Sequence, residues 1–156
     1  MITVEPTTED KFIKDMFLNP DIYAEMKDDN SPANPESLRS VDILALPGVF
    51  LKVLRDGVAC GCFWFLWKDD HTLETHTALD RTCRGRKAIE AARVAREWIF
   101  SNTTAKEITS YAWSDSPAVD WFCRAIGMTK REVKPWPATR NGKPVAITYY
   151  AIGRTI

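Results

Sequence analysis

His76-Thr77-Ala78-Leu79, Arg84-Gly85-Arg86-Lys87 and Ala88 onward divide residues 76–92 into the end of an extended run, a short basic turn and the start of a helix. A strand that passes through a glycine-containing cationic turn into a helix builds an anion site. Unpaired amide N–H groups and the positive end of the helix dipole converge there. A phosphate-bearing ligand is the expected guest.

Working outward, Thr72 to Leu79 alternates Leu73, Thr75, Thr77 and Leu79 on one face with Glu74, His76 and Ala78 on the other, so Glu74 and His76 share a face. Upstream, apolar runs from Val49 to Leu54 and from Val58 to Trp67 flank Arg55-Asp56-Gly57, whose Asp-Gly pair predicts a hairpin. The stretch Cys62 to Trp67 is apolar at every position, which predicts a central strand covered on both sides. Nearer the start, Met1 to Val4 reads as a strand. Thr7 or Thr8 caps a helix carrying Phe12, Ile13, Met16 and Phe17 inward, and a second helix starts at Asn19 with Pro20 in its first position. Lys27 to Pro35 is a connection rich in turn formers, of a kind that also lines substrate grooves.

Downstream, a helix from Arg86 to Phe100 sets Ala88, Ala92, Ala95 and Ile99 on one stripe and Arg86, Glu90, Arg93 and Glu97 on the opposite one. Glu107 to Ala112 is a strand. Ser116 then caps a short helix with Pro117 in its first position, stopped by Gly127. A last hairpin pairs Lys130 to Val133 and beyond with Val145 to Ile152 around Asn141-Gly142.

A chain of 156 residues predicts one domain over positions 1–156. The 21 Lys and Arg balance 21 Asp and Glu, so no net field draws the protein to nucleic acid or a lipid surface. Cys60, Cys62, Cys83 and Cys123 fit no zinc spacing and only two histidines accompany them, so packed, reduced thiols and no metal are expected. No stretch approaches the ~20 apolar residues of a membrane span, and the cytoplasm is the default location.

The order strand, two helices, three-strand meander, helix, strand, helix, hairpin resembles the GCN5-related N-acetyltransferase (GNAT) fold along essentially the whole chain. More narrowly, His76-Thr77-Ala78-Leu79 before Arg84-Gly85, with Trp98-Ile99-Phe100 ending the helix, is similar to the GNAT-like proteins of tailed bacteriophages, including small head-assembly proteins. The resemblance implies an α/β (α+β) domain with a mixed, mostly antiparallel sheet of six or seven strands and helices on both faces. It implies acetyl-CoA as co-substrate and an amine as acceptor. Thr77, Ala78 and Leu79, then Arg84, Gly85, Arg86, Lys87 and Ala88, map onto the family's CoA-binding strand and turn, and Ser116 onto its later helix start. The narrower resemblance implies instead a silent scaffold that binds a phage structural protein in the host cytoplasm. A homodimer is an open option in either case.

This sequence departs from the family's pattern at informative places. Lys87 and Ile89 stand where the turn usually has glycines, when the turn is counted from Arg84. Lys87 is then expected to touch phosphate through its ammonium. Cys123 occupies the position of the tyrosine that protonates the departing thiolate. As a catalytic group it needs a base or cation that the sequence does not reveal, and packing is the plainer reading. Glu74 and His76 are the candidates for deprotonating the amine, a desolvated Glu being shifted upward and His titrating near neutrality; the plainer alternative is a hydrogen-bonded polar pair. Backbone N–H groups at Ala78 or Leu79 would polarise the thioester carbonyl.

Overall fold

The computed structural model describes residues 1–155. Seven strands run β1 (Ile2–Pro6), β2 (Gly48–Arg55), β3 (Val58–Trp67), β4 (Thr72–Leu79), β5 (Glu107–Trp113), β6 (Thr129–Arg140) and β7 (Lys143–Gly153). They form one sheet in the order β1-β2-β3-β4-β5-β7-β6. Four helices complete the fold: α1 (Asp10–Phe17), α2 (Pro20–Met26), α3 (Arg86–Asn102) and α4 (Pro117–Ala125). The sheet is mixed and mostly antiparallel with helices on both faces, as the sequence predicts.

Strand β3 is central because both its faces are apolar. Phe63 and Phe65 pack toward α3 and α4, in a cluster with Leu51, Leu73, Ala88, Ala92, Ala95, Ile99 and Cys123. Cys62 and Trp64 join Ile13, Phe17, Ile22 and Phe50 under α1 and α2. The alanine stripe of α3 lets its backbone lie close on the sheet. The β2–β3 turn has positive φ at both Asp56 (50°) and Gly57 (82°), the geometry that matches strand twist in a two-residue hairpin. Asn141 (53°) and Gly142 (75°) repeat it between β6 and β7.

The one parallel pair, β4 with β5, decides where a site can form. It is registered only at Thr72–Glu107, Leu73–Ile108 and Glu74–Thr109. Beyond that point β4 keeps its bonds to β3 through Phe63–Thr77, Cys62–Ala78 and Gly61–Leu79, while β5 follows β7. The two strands splay, and a V-shaped gap opens in the middle of the sheet.

Two predicted helix starts differ in detail. The cap of α1 falls on Glu9, without a side-chain bond; Thr7 sits earlier, its Oγ1 accepting from the Glu9 N–H at 3.2 Å. Ser116 is at the cap position of α4, but its hydroxyl makes no cap bond. Asn19 does cap α2, its Oδ1 accepting from the Asp21 N–H at 3.0 Å.

The connection after α2 is built rather than loose. Asp29 accepts from the N–H groups of Asn141 and Gly142, each at 2.9 Å, and from the Thr139 hydroxyl at 2.6 Å. Trp136 Nε1 donates to Asp28 at 2.9 Å, and Arg140 donates to the carbonyls of Lys27 and Glu25. These bonds hold Asp28 and Asp29 ionised below the usual carboxylate range, led by Trp136 for the first and Thr139 for the second. The connection and the β6–β7 hairpin are thus tied together. Two short 3₁₀ segments, Pro35–Leu38 and Ile43–Ala45, carry the chain on to β2.

Candidate active site

At the end of β4 the chain turns through Asp80 to Gly85. Gly85 has φ 60° and ψ −126°, a conformation close to glycine-only, although a Cβ there would meet nothing within 4 Å. Backbone geometry, not crowding, requires the glycine. Among the described residues, the N–H groups of Gly85, Arg86 and Ala88 find no backbone acceptor, and α3 has no side-chain cap. Three donors at the positive end of the helix dipole are therefore left without a backbone partner.

The cations of the turn are differently employed. Arg81 pairs with Asp21 at 3.0 Å and Arg84 with Glu25 at 3.9 Å, tying the turn to α2. Lys87, expected to reach phosphate, is paired within its own helix to Glu90 at 3.2 Å. Arg86 makes no ion pair among the described residues. It is the turn's uncommitted charge.

Glu74 and His76 lie one turn of the pleat apart on β4, facing α1 and α2, with His76 Nε2 3.1 Å from Glu74 Oε1. Their side chains are 14% and 20% exposed. The His76 hydrogen bond holds Glu74 below the usual carboxylate range despite burial, helped by Lys68 at 3.7 Å. This reverses the expected upward shift: the partner's donor outweighs desolvation. An ionised carboxylate only accepts, so His76 donates from Nε2, and the lone pair of the neutral ring is on Nδ1.

Across the gap stands Tyr111 of β5, its ring 5.6 Å from that of His76 and edge-on to it. Burial first, then the Glu74 charge, pushes its hydroxyl up, so it stays protonated. Tyr149 of β7 follows at 6.1 Å from Tyr111. Nothing in the sequence singled out Tyr111, because its partnership with His76 depends on a parallel register between strands separated by α3. The signal was the alternation Thr109, Tyr111, Trp113, legible once that register is known.

The remaining sequence candidates are divided between the two faces. Ala78 is buried under α1, and Leu79 is buried toward α3. Thr77 lines a narrow cavity of about 40 Å³ with Thr75, Ser110, Phe122 and Cys123. Cys123 is 2% exposed; burial pushes its thiol up to about 11. Because Thr75 and Thr77 point away from the Glu74 face, Cys123 lies on the opposite side of the sheet from the Glu74–His76 pair. Ser116 opens α4, beyond the end of β5.

A second, larger cavity of about 200 Å³ lies on the Glu74 face, under α1, α2 and the 3₁₀ segments, with Trp64 and His76 in its wall. Two buried polar atoms have no partner among the described residues, Trp64 Nε1 and Thr75 Oγ1. Each belongs to the wall of one cavity. Among the described residues no cluster of His, Cys, Asp or Glu is suited to a metal, and no helix is long and apolar enough to cross a membrane.

A gap between two parallel strands, closed at one end and opening beside a glycine turn at a helix start, belongs to a fold that this chain shares with solved N-acetyltransferase structures. Spermidine N-acetyltransferase from Vibrio cholerae, in complex with CoA and spermine, superposes with a TM-score of 0.77 at 13% identity, over 97% of this chain and 95% of that one. The ribosomal-protein-S5-alanine acetyltransferase from Vibrio fischeri gives 0.70 at 16% identity, over 97% and 92%. An N-acetyltransferase from Staphylococcus aureus Mu50 gives 0.72 at 9% identity, over 98% and 97%. Likeness at this identity establishes the fold. By sequence, residues 44–155 match the family described as "Protein of unknown function (DUF2824)", and the chain belongs to that family. No curated protein matches it.

Proposed function

We propose that this chain, acting as one domain, is an acyl-CoA-dependent N-acetyltransferase that transfers an acetyl group to an amine. The observation that carries the reading is the splay of β4 from β5 with Glu74, His76 and Tyr111 around it. Gly85, Arg86 and Ala88 would hold the pyrophosphate of acetyl-CoA through backbone N–H groups, with Arg86 adding charge. Free edges of β4 at Thr77 to Leu79 and of β5 suit the amides of the pantetheine arm. Ser116, which follows β5 at the cap position of α4, would meet that arm.

His76 takes the proton of the acceptor ammonium on Nδ1, with Glu74 fixing its tautomer and stabilising the imidazolium. The amine nitrogen then attacks the thioester carbonyl carbon. Backbone N–H groups of β4 at Ala78 or Leu79 stabilise the oxyanion. Collapse breaks the carbon–sulfur bond and sends the electron pair to sulfur, where Tyr111, still protonated, supplies a proton; the amide nitrogen gives its surplus proton to the resulting tyrosinate, and His76 releases the proton it took to solvent. Cys123, with its high thiol and its place behind the sheet, is assigned to packing.

A second reading follows from the turn itself. Arg81 and Arg84 are occupied by carboxylates of α2, which suits a scaffold of the phage head-assembly kind that has given up CoA. Calorimetric or thermal titration with acetyl-CoA separates the two. At about a hundred times its dissociation constant a ligand adds about 2.7 kcal/mol, a rise in Tm of roughly 5–11 °C for this size. Arg86→Glu should reduce that rise; no rise at millimolar acetyl-CoA or CoA overturns the enzyme in favour of the scaffold.

A further inference from the structure

We infer that the acceptor is a small primary amine bearing one aromatic or branched apolar group and no second charge, and that the 200 Å³ cavity under α1 and α2 receives that group. This rests on the acetyltransferase reading for its chemistry but on the cavity for its specificity. The wall is formed by Phe17, Leu18, Met26, Leu38, Val41 and Ile43, together with Tyr23, Trp64, Lys14 and His76. It holds no carboxylate. The Tyr23 hydroxyl is turned to the Pro32 carbonyl at 2.6 Å, and the Lys14 ammonium to Asp10 at 3.0 Å.

Charge decides the class. A polyamine would carry a second ammonium into a wall whose one charged member is itself a cation, and an isolated charge in an apolar site is strongly disfavoured. A free carboxylate fares no better, because Lys14 already has its partner. An apolar guest loses nothing there. Size narrows it further: an apolar cavity of about 150 Å³ takes benzene, so about 200 Å³ takes a ring with a short alkyl linker. His76 is the wall residue that also belongs to the Glu74 pair. A guest seated by its ring thus presents its amine at the base. Trp64, stacked on Phe50 at 5.5 Å and 5.2 Å from His76, would sense the guest directly.

The test uses the full chain and two probes, 2-phenylethylamine and spermidine. Binding is measured first without acetyl-CoA, by calorimetry and by tryptophan fluorescence with Trp64→Phe as control, and turnover is then followed by release of CoA thiol. Phenylethylamine is expected to bind and react at least tenfold better than spermidine or ethylamine. Val41→Asp, at a half-exposed wall position that tolerates a carboxylate, should shift that preference at least tenfold toward spermidine. Failure of phenylethylamine to bind, or a preference for spermidine in the unaltered protein, overturns the inference even where acetyl-CoA binds. Amine binding with no acetyl-CoA binding keeps the cavity assignment and removes the enzyme.

Discussion

The face of the sheet under α3 and α4 is dense, and the face under α1 and α2 is not. Twenty buried residues form the first cluster and six the second. The cavities follow the same division, about 40 Å³ against about 200 Å³. Both helix pairs cover the same central strands, so the difference lies in the covering sequence. α3 is a 17-residue helix with an alanine stripe that can lie flat, whereas α1 and α2 are 8 and 7 residues long and are followed by 3₁₀ turns that bridge rather than fill. One face supplies stability, and the other is left hollow next to the polar pair that chemistry needs.

The sharpest way to break this division is to alter the hollow face and look for lost chemistry. His76→Ala should lower acetyl transfer about 10²- to 10⁴-fold with acetyl-CoA binding retained, measured as kcat against the thermal shift; an unchanged rate returns Glu74 and His76 to a structural role. On the dense face, Ile99→Ala should cost about 2–5 kcal/mol in urea unfolding, against about 0.5 kcal/mol or less for Val41→Ala at the half-exposed cavity wall. Equal costs would erase the comparison. Gly85→Ala, at the junction of the two faces, should cost on the order of 1–3 kcal/mol through its positive φ and weaken CoA binding.

Smaller still is the effect of acid. Glu74 is depressed in the folded state, so its contribution is present above the unfolded value of about 4.3 and is lost as pH falls through the lower folded value. Glu74→Gln should therefore flatten stability below about pH 4 and leave it unchanged in slope near neutrality. Least visible of all, the thiols should not react with alkylating agents in the native protein at pH 8. All four are buried, and burial pushes Cys62 and Cys83 up to about 12 and Cys123 up to about 11. Rapid labelling of Cys123 would restore it as a reactive group.

The dense face was the legible one. The unbroken apolar run Cys62 to Trp67 and the alanine stripe of α3 are local patterns, and the turn signals Asp56-Gly57 and Asn141-Gly142 are local chemistry, so strand and helix positions could be read directly. The Glu74–His76 pair was legible for the same reason, being two apart on one strand. What escaped was non-local. Tyr111 becomes a neighbour of His76 only through the β4–β5 register; the cavity exists only because the 3₁₀ segments, which have no periodicity, fold over Trp64. The sign of the Glu74 shift was equally out of reach, since it depends on a 3.1 Å contact that outweighs burial.

The three residue pairs between β4 and β5 have a mechanical consequence. Strands β1 to β4 and strands β5 to β7 are two ribbons riveted at one end, and α3 is the strut that runs from the open end of β4 back to the riveted end of β5. Rotation about the rivet changes the width of the gap while disturbing few hydrogen bonds. Amide exchange should report it: groups of β4 beyond Glu74 that face the gap should exchange faster than their neighbours bonded to β3. Any ligand that bridges the ribbons should slow them together, as a plank laid across the gap stiffens both sides.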